Sequence, residues 1–163
     1  MISQSKVTIL LSVYNGKNHL GKSIDSLLSQ TYKNIEILII DDNSNDGSLN
    51  ICKKYEESFN NIKVFKNSKN LGLTKNLNFL IEQSNGVYLA RQDADDISEA
   101  TRIEKQVNFI KKYNLDACTT RAHIMKKNKI TPNKALYLPK KFVMRFKNPF
   151  IHGSLMIKKT SIL

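Results

Sequence analysis

Val7-Thr-Ile-Leu-Leu-Ser-Val13 and Ile35-Glu-Ile-Leu-Ile-Ile40, the second running straight into Asp41-Asp-Asn-Ser-Asn-Asp-Gly47, decide how this chain folds. Both begin as continuous apolar runs rich in β-branched residues, the pattern of strands buried on both faces. Between them Leu20, Ile24, Leu27 and Leu28 recur at i, i+4, i+7 and i+8, one stripe of a helix reaching about Gln30. Two buried strands joined by a crossover helix make a parallel pair.

The same grammar repeats outward. The polar loop at 41–47 offers several caps for a helix over residues 48–58. Ile62-Lys-Val-Phe65 is a short third strand. Leu73, Leu77, Leu80 and Ile81 form a second helical stripe that Gly86 ends, and Val87-Tyr-Leu-Ala90 is a fourth strand. After an acidic run at 93–96, Ile103, Val107 and Ile110 mark a further helix with Ser98 as its expected cap. The fold class is therefore α/β: Rossmann-like, a mostly parallel sheet with helices on both faces. Past Leu115 the pattern weakens to one or two strands over 116–125, a basic helix over 138–147 and a last strand over 154–157. No repeat or linker divides the chain, so residues 1–116 read as the core and 117–163 as a continuation of the same domain.

Composition sets the outer bounds. With 163 residues and 40% hydrophobic content the chain suits one globular domain. No apolar run approaches the roughly 18–20 residues of a membrane span, and the polar start lacks a signal peptide's apolar centre. Cys52 and Cys118 have no metal-ligand spacing and read as small core residues of a cytoplasmic protein. The charge is unevenly placed. Residues 1–116 hold 15 of the 26 Lys and Arg and all 14 Asp and Glu, whereas residues 117–163 hold 11 basic residues and no acidic one. That segment is either a solvated lysine-rich face or a surface for an anionic partner, including peripheral contact with the inner face of the membrane. Nucleic acid is disfavoured, because aromatics are not interleaved with the basic residues in a stacking motif.

In an open parallel sheet, ligands bind beyond the carboxyl ends of the strands. Three polar groups fall there: Ser12 and Tyr14 after the first strand, Asp41 and Asp42 after the second, and Asp93, Asp95 and Asp96 after the fourth. Three carboxylates in four residues next to a buried strand call for a cation. Hard oxygen ligands with open positions suit Mg²⁺ or Mn²⁺ bridging a diphosphate. The competing reading is that these aspartates cap the helix beginning near Ser98. The turn Asn15-Gly-Lys-Asn-His-Leu-Gly21 matches neither glycine-rich phosphate motif, which argues against a dinucleotide dehydrogenase or a P-loop enzyme.

Residues 7–15, Ser29-Gln-Thr-Tyr32 and Glu36-Ile-Leu-Ile-Ile-Asp-Asp-Asn-Ser-Asn-Asp-Gly47 resemble the opening of family-2 nucleotide-sugar glycosyltransferases. Asn70-Leu-Gly-Leu-Thr-Lys-Asn-Leu-Asn78 and Gly86-Val-Tyr-Leu-Ala-Arg-Gln-Asp-Ala-Asp-Asp96 resemble that family's centre and its Asp-x-Asp motif. Arg102-Ile-Glu-Lys-Gln106 and His152-Gly-Ser-Leu-Met156 extend the likeness over nearly the whole chain. The resemblance implies a glycosyltransferase A-type fold and a nucleoside-diphosphate-sugar donor, usually a uridine one. Carried over residue by residue, Asp42 accepts a hydrogen bond from the base while Ser12 and Tyr14 line the base and ribose pocket. Asp93 faces ribose or sugar, and Asp95 ligates the divalent metal.

The departures matter too. Leu77 stands where many members carry Arg, leaving Lys75 as either a substitute charge or a solvated helix lysine. Arg91 is placed to pair with the acidic run or touch phosphate, and His152 is either a ligand or a structural residue. Asp41 and Asp96 are further candidates. Inverting transfer onto a glycan or lipid-linked acceptor needs a general base, which the family draws from an acidic motif in its acceptor half. No carboxylate follows Asp116. The expectation is thus the donor-binding portion of a longer, truncated or split enzyme, without its catalytic base. A sugar nucleotidyltransferase and a non-catalytic module binding nucleotide or anionic membrane are the alternatives.

Overall fold

A computed structural model describes residues 4–124, 129–131 and 150–162. The expected helix over 138–147 lies outside them. The two deciding stretches form β1 (Val7–Val13) and β2 (Ile35–Asp41), joined by α1 (Lys17–Leu28). Then come α2 (Ser48–Ser58), β3 (Ile62–Lys66), α3 (Leu73–Gln83), β4 (Tyr88–Asp93) and α4 (Arg102–Tyr113). Three short strands, β5 (Ala117–Cys118), β6 (Ala122–Ile124) and β7 (Lys129–Thr131), precede a 3-10 turn at His152–Ser154, β8 (Met156–Lys158) and a second 3-10 turn at Lys159–Ser161.

The main sheet runs β3-β2-β1-β4-β8-β5, parallel through its first four strands and antiparallel where β8 enters between β4 and β5; β6 and β7 pair separately. Helices pack on both of its faces. Ile9, Leu11, Ile37 and Ile39 pack with Leu20, Ile24 and Leu27 of α1, Cys52 of α2 and Ile103, Val107 and Ile110 of α4. Among the described residues the other face packs against α3, through Leu10, Leu38, Ile40, Leu89 and Leu80. Because β1 and β2 are covered on both sides, their middles are apolar and their polar residues fall at the ends: Thr8 and Glu36 near the starts, Ser12 and Asp41 at the carboxyl edge. Cys52 is buried and Cys118 half-buried, both as free thiols. Among the described residues no helix is long and apolar enough to cross a membrane.

Two local expectations change. Ser98 does not cap α4, which begins at Arg102 after Thr101. Ser98 is buried instead: its N–H donates to Ser26 Oγ at 3.0 Å and its hydroxyl donates to Gln92 at 2.8 Å. Asp93, Asp95 and Asp96 therefore lie six or more residues before α4, too far to cap it, and the helix-cap reading of the acidic run falls. The last strand also starts two residues later than expected, because residues 152–154 form the 3-10 turn first.

Candidate functional site

Register brings the strand ends together. Ser12 of β1 pairs with Asp93 of β4, and Val13 pairs with Asp41 of β2. Alternation along β2 then sends Asp41 to the α1–α2 face and Asp42, just past the strand, to the α3 face. Asp41 is fully buried; its Oδ2 accepts the Ser44 N–H at 3.0 Å, while its Oδ1 has no hydrogen-bond partner among the described residues.

Asp42 is only 3% exposed and anchors a polar network. Its Oδ1 accepts from the Leu71 N–H at 2.8 Å and Asn67 Nδ2 at 2.7 Å; its Oδ2 accepts the Gly72 N–H at 2.9 Å. Asn67 Nδ2 also reaches Asn76 Oδ1 at 2.7 Å, and Asn76 Nδ2 donates to Ser12 Oγ at 2.9 Å. Burial pushes the Asp42 carboxyl up, but the bonds from Leu71, Asn67, Gly72 and Asn76 outweigh it and hold the group below its ordinary range. Asn67 and Asn76 were not among the residues singled out from sequence. Lys75 is exposed in the first turn of α3, one residue before Asn76, and Leu77 is half-buried against the α3-side core.

The turn after β1 is latched to the loop after β2. The N–H groups of Asn15, Gly16 and Lys17 donate to Ser44 Oγ, Ser48 Oγ and Asp46 Oδ2, each at 2.9 Å. Asp46 Oδ1 accepts from the Ser48 N–H at 2.9 Å and from its hydroxyl, and the hydroxyl bond is the chief cause of the lowered Asp46 pKa. The Gly16 and Lys17 N–H groups at the start of α1 are thus engaged by side chains, which leaves fewer backbone donors there for a phosphate. Tyr14, 55% exposed, stands just before this latch.

The acidic loop is the open part of the edge. Arg91 clamps Asp93 Oδ1 through Nε at 3.0 Å and Nη2 at 2.8 Å. The Asp96 N–H returns to the Asp93 carbonyl at 3.1 Å, closing a turn that leaves Asp95 and Asp96 exposed. A Cβ built on Gly153 would sit 2.7 Å from Asp93 Oδ2 and 2.9 Å from Asp96 Oδ2, so the 152–154 turn lies against these two carboxylates. Asp93 and Asp96 thus converge on the Gly153 side of the turn. His152 sits next to Gly153 on that turn.

The donor chemistry suits a hard divalent cation. Burial first, then the charges of Asp93 and Asp95, raise the Asp96 carboxyl pKa, with Arg102 and Arg91 opposing. Among the described residues no three acidic, His or Cys side chains converge closely enough to hold an ion by themselves. A cation at this loop would take its remaining ligands from a diphosphate and water.

Fold and edge together define an α/β domain of the glycosyltransferase A type. The family model "Glycosyl transferase family 2" matches residues 8–162, and the chain belongs to this family. It is 35% identical to EpsE of Bacillus subtilis (strain 168), a provisionally named glycosyltransferase, over 99% of this chain and 59% of that one. It is 33% identical to the cholesterol galactosyltransferase of Borreliella burgdorferi over 76% of this chain and 34% of that one. The chain thus spans about three fifths or less of these curated relatives. Among solved structures, a Pyrobaculum calidifontis mannosyltransferase in complex with GDP-Man and Mn²⁺ superposes with a TM-score of 0.76 at 17% identity, covering 99% of this chain and 46% of that one. TarS of S. aureus in complex with UDP-GlcNAc gives 0.71 at 20% identity, over 95% and 46%.

Proposed function

We propose that this chain is the donor-binding half of an inverting glycosyltransferase that uses a nucleoside-diphosphate sugar, with uridine as the nucleoside. The observation that carries the reading is the meeting of Ser12, Asp42 and Asp93 at one sheet edge, with the acidic loop open beside them. Asp42 takes the base, Ser12 and Tyr14 line the base and ribose pocket, and Asp93 faces the ribose or sugar. Asp95 ligates Mn²⁺ or Mg²⁺, with Asp96 and His152 as neighbouring candidates. A bound cation would offset the charge that grows on the departing diphosphate. Arg91 fixes the Asp93 carboxylate, and Lys75 supplies a positive charge on the base side.

The acceptor in this reading is a cell-surface or exopolysaccharide glycan or a lipid-linked one, met at the cytoplasmic face, where the basic 117–163 segment contacts anionic headgroups. The engagement of the Gly16 and Lys17 N–H groups by Ser48 and Asp46 argues against a nucleotidyltransferase, which would need such donors for phosphate. Titration of the purified chain with UDP, with and without Mn²⁺, tests the proposal. The expected result is binding that Mn²⁺ tightens; equal affinity in chelator and in Mn²⁺ would refute the metal, and no UDP binding at all would refute the donor site.

A further inference from the structure

Beneath the acidic loop lies a cation that the donor chemistry does not use. Arg102 is 8% exposed yet makes no ion pair among the described residues. Its guanidinium fans out onto four neutral acceptors. Nη1 donates to Gln92 Oε1 at 2.6 Å and Ser98 Oγ at 2.8 Å, Nε to Gln106 Oε1 at 3.1 Å, and Nη2 to the Arg91 carbonyl at 2.6 Å. Burial lowers its pKa to about 10, so it stays charged near neutrality. A buried charge without a carboxylate partner is expensive, and an apolar residue would fill the space at less cost. What the arginine adds is a planar fork that can hold several segments at fixed angles.

Those segments are the ones that frame residues 93–96. Arg91 and Gln92 lead into the loop and Ser98 leads out of it. Gln92 Nε2 donates to the Asp96 carbonyl at 2.8 Å, and Gln106 Nε2 to the Ser154 carbonyl at 2.9 Å on the turn that lies against Asp93 and Asp96. From the other side α1 contributes Ser23, whose hydroxyl donates to the Asp93 carbonyl at 3.2 Å, and Ser26, which holds Ser98. We propose that Arg102 is a positioning residue for the acidic loop, its fork locking residues 91–98 and the 152–154 turn into one arrangement before any ligand arrives. It touches no ligand; it spares the loop the entropy of being ordered on binding. The inference rests on the donor-site reading only for what the loop binds, since the clasp itself stands on geometry.

Two variants of the full chain test it. Arg102→Lys keeps the charge but loses the fork, and Ser98→Ala removes one acceptor with little change to the core. Amide hydrogen exchange compares residues 91–98 with β1, and UDP titrations run with and without Mn²⁺. In both variants exchange in 91–98 should rise by about tenfold or more while β1 keeps its protection, as expected of local rather than global opening. The Mn²⁺-dependent affinity for UDP should fall roughly 10–100-fold, the range for losing a residue that orients metal ligands. The metal-free affinity should not move. Wild-type exchange in 91–98 in both variants overturns the proposal, and so does equal acceleration in the loop and β1. If Arg102→Lys does not fold, Ser98→Ala decides between the same outcomes. If the wild type shows no Mn²⁺-dependent binding of UDP, the donor reading fails while the exchange measurement still decides the clasp.

Discussion

Either side of β1 the sheet edge is built in opposite ways. On the β2 side, Asp42 is enclosed with both oxygens engaged and its charge stabilised by hydrogen bonds from Asn67, Leu71 and Gly72. On the β4 side, Asp95 and Asp96 reach solvent, and partial burial of the Asp96 carboxyl first, then the charges of Asp93 and Asp95, push its pKa upward. One side is held by the fold with an acceptor position of Asp42 Oδ2 to spare, and the other carries charge that invites a cation. The same residue type therefore does different work on the two sides of β1: a carboxylate whose oxygens already accept from the fold is a structural anchor first, and one with spare lone pairs is a binding group first.

The largest effect should come from breaking the closed side. Asp42→Ala strips an acceptor from two backbone N–H groups and from Asn67, so the fold should lose about 3 kcal/mol, with UDP binding weakened as well. Urea unfolding reads this as a lower midpoint at unchanged slope; a loss near zero would mean that the network is decoration. The pH dependence has a fixed sign. The folded Asp42 pKa is depressed, so its stabilisation is full above the ordinary carboxylate value of about 4 and is lost as pH falls through the lower folded value. The stability gap between wild type and Asp42→Asn should shrink on acidification below about pH 4.

Asp95→Asn should give the converse signature. Asp95 is exposed, so the unfolding midpoint should stay within error of wild type. Tightening of UDP by Mn²⁺ should disappear, a change of roughly 10–100-fold by calorimetry. A variant that keeps its metal dependence would move the ligand to Asp96 or Asp93, the pair that meets at Gly153.

The contrast also explains what could be read before folding. The two apolar runs dictate β1 and β2, and strands buried on both faces admit polar residues only at their ends, so Ser12, Asp42 and Asp93 were legible. The supports beneath them were not. Asn76 looks like an ordinary polar helix residue, yet it is 1% exposed and bonds to Ser12, 64 positions away. Ser23 and Ser26 sit among the apolar residues of α1, Gln30 follows the helix, and all three reach the segment after β4 about 70 residues on. Such bonds have no periodicity, because their spacing is set by the packing of α1 against the loop and not by either segment alone. Ser98 misled for the same reason: it has the residue type of a cap, but its partners lie on α1, β4 and Arg102.

The smallest effect should come from Lys75, and it asks whether the closed side adds charge as well as shape. The side chain is exposed on the first turn of α3, next to the network residue Asn76 but outside the network. An exposed charge gains only about 0.2–1 kcal/mol from an anionic partner, which is roughly a 1.4–5-fold change in affinity. Lys75→Met should therefore weaken UDP by that factor at low salt and leave uridine, which has no phosphate, unchanged. Raising the ionic strength shortens the Debye length from about 10 Å at 0.1 M to about 3 Å at 1 M, so the difference between variant and wild type should fade across a salt series. A loss larger than tenfold that ignores salt would place the ammonium in direct contact with phosphate, and the β2 side would then share the work of charge neutralisation with the acidic loop. No loss at any salt would leave Lys75 a solvated helix residue and assign phosphate recognition to the β4 side of the sheet.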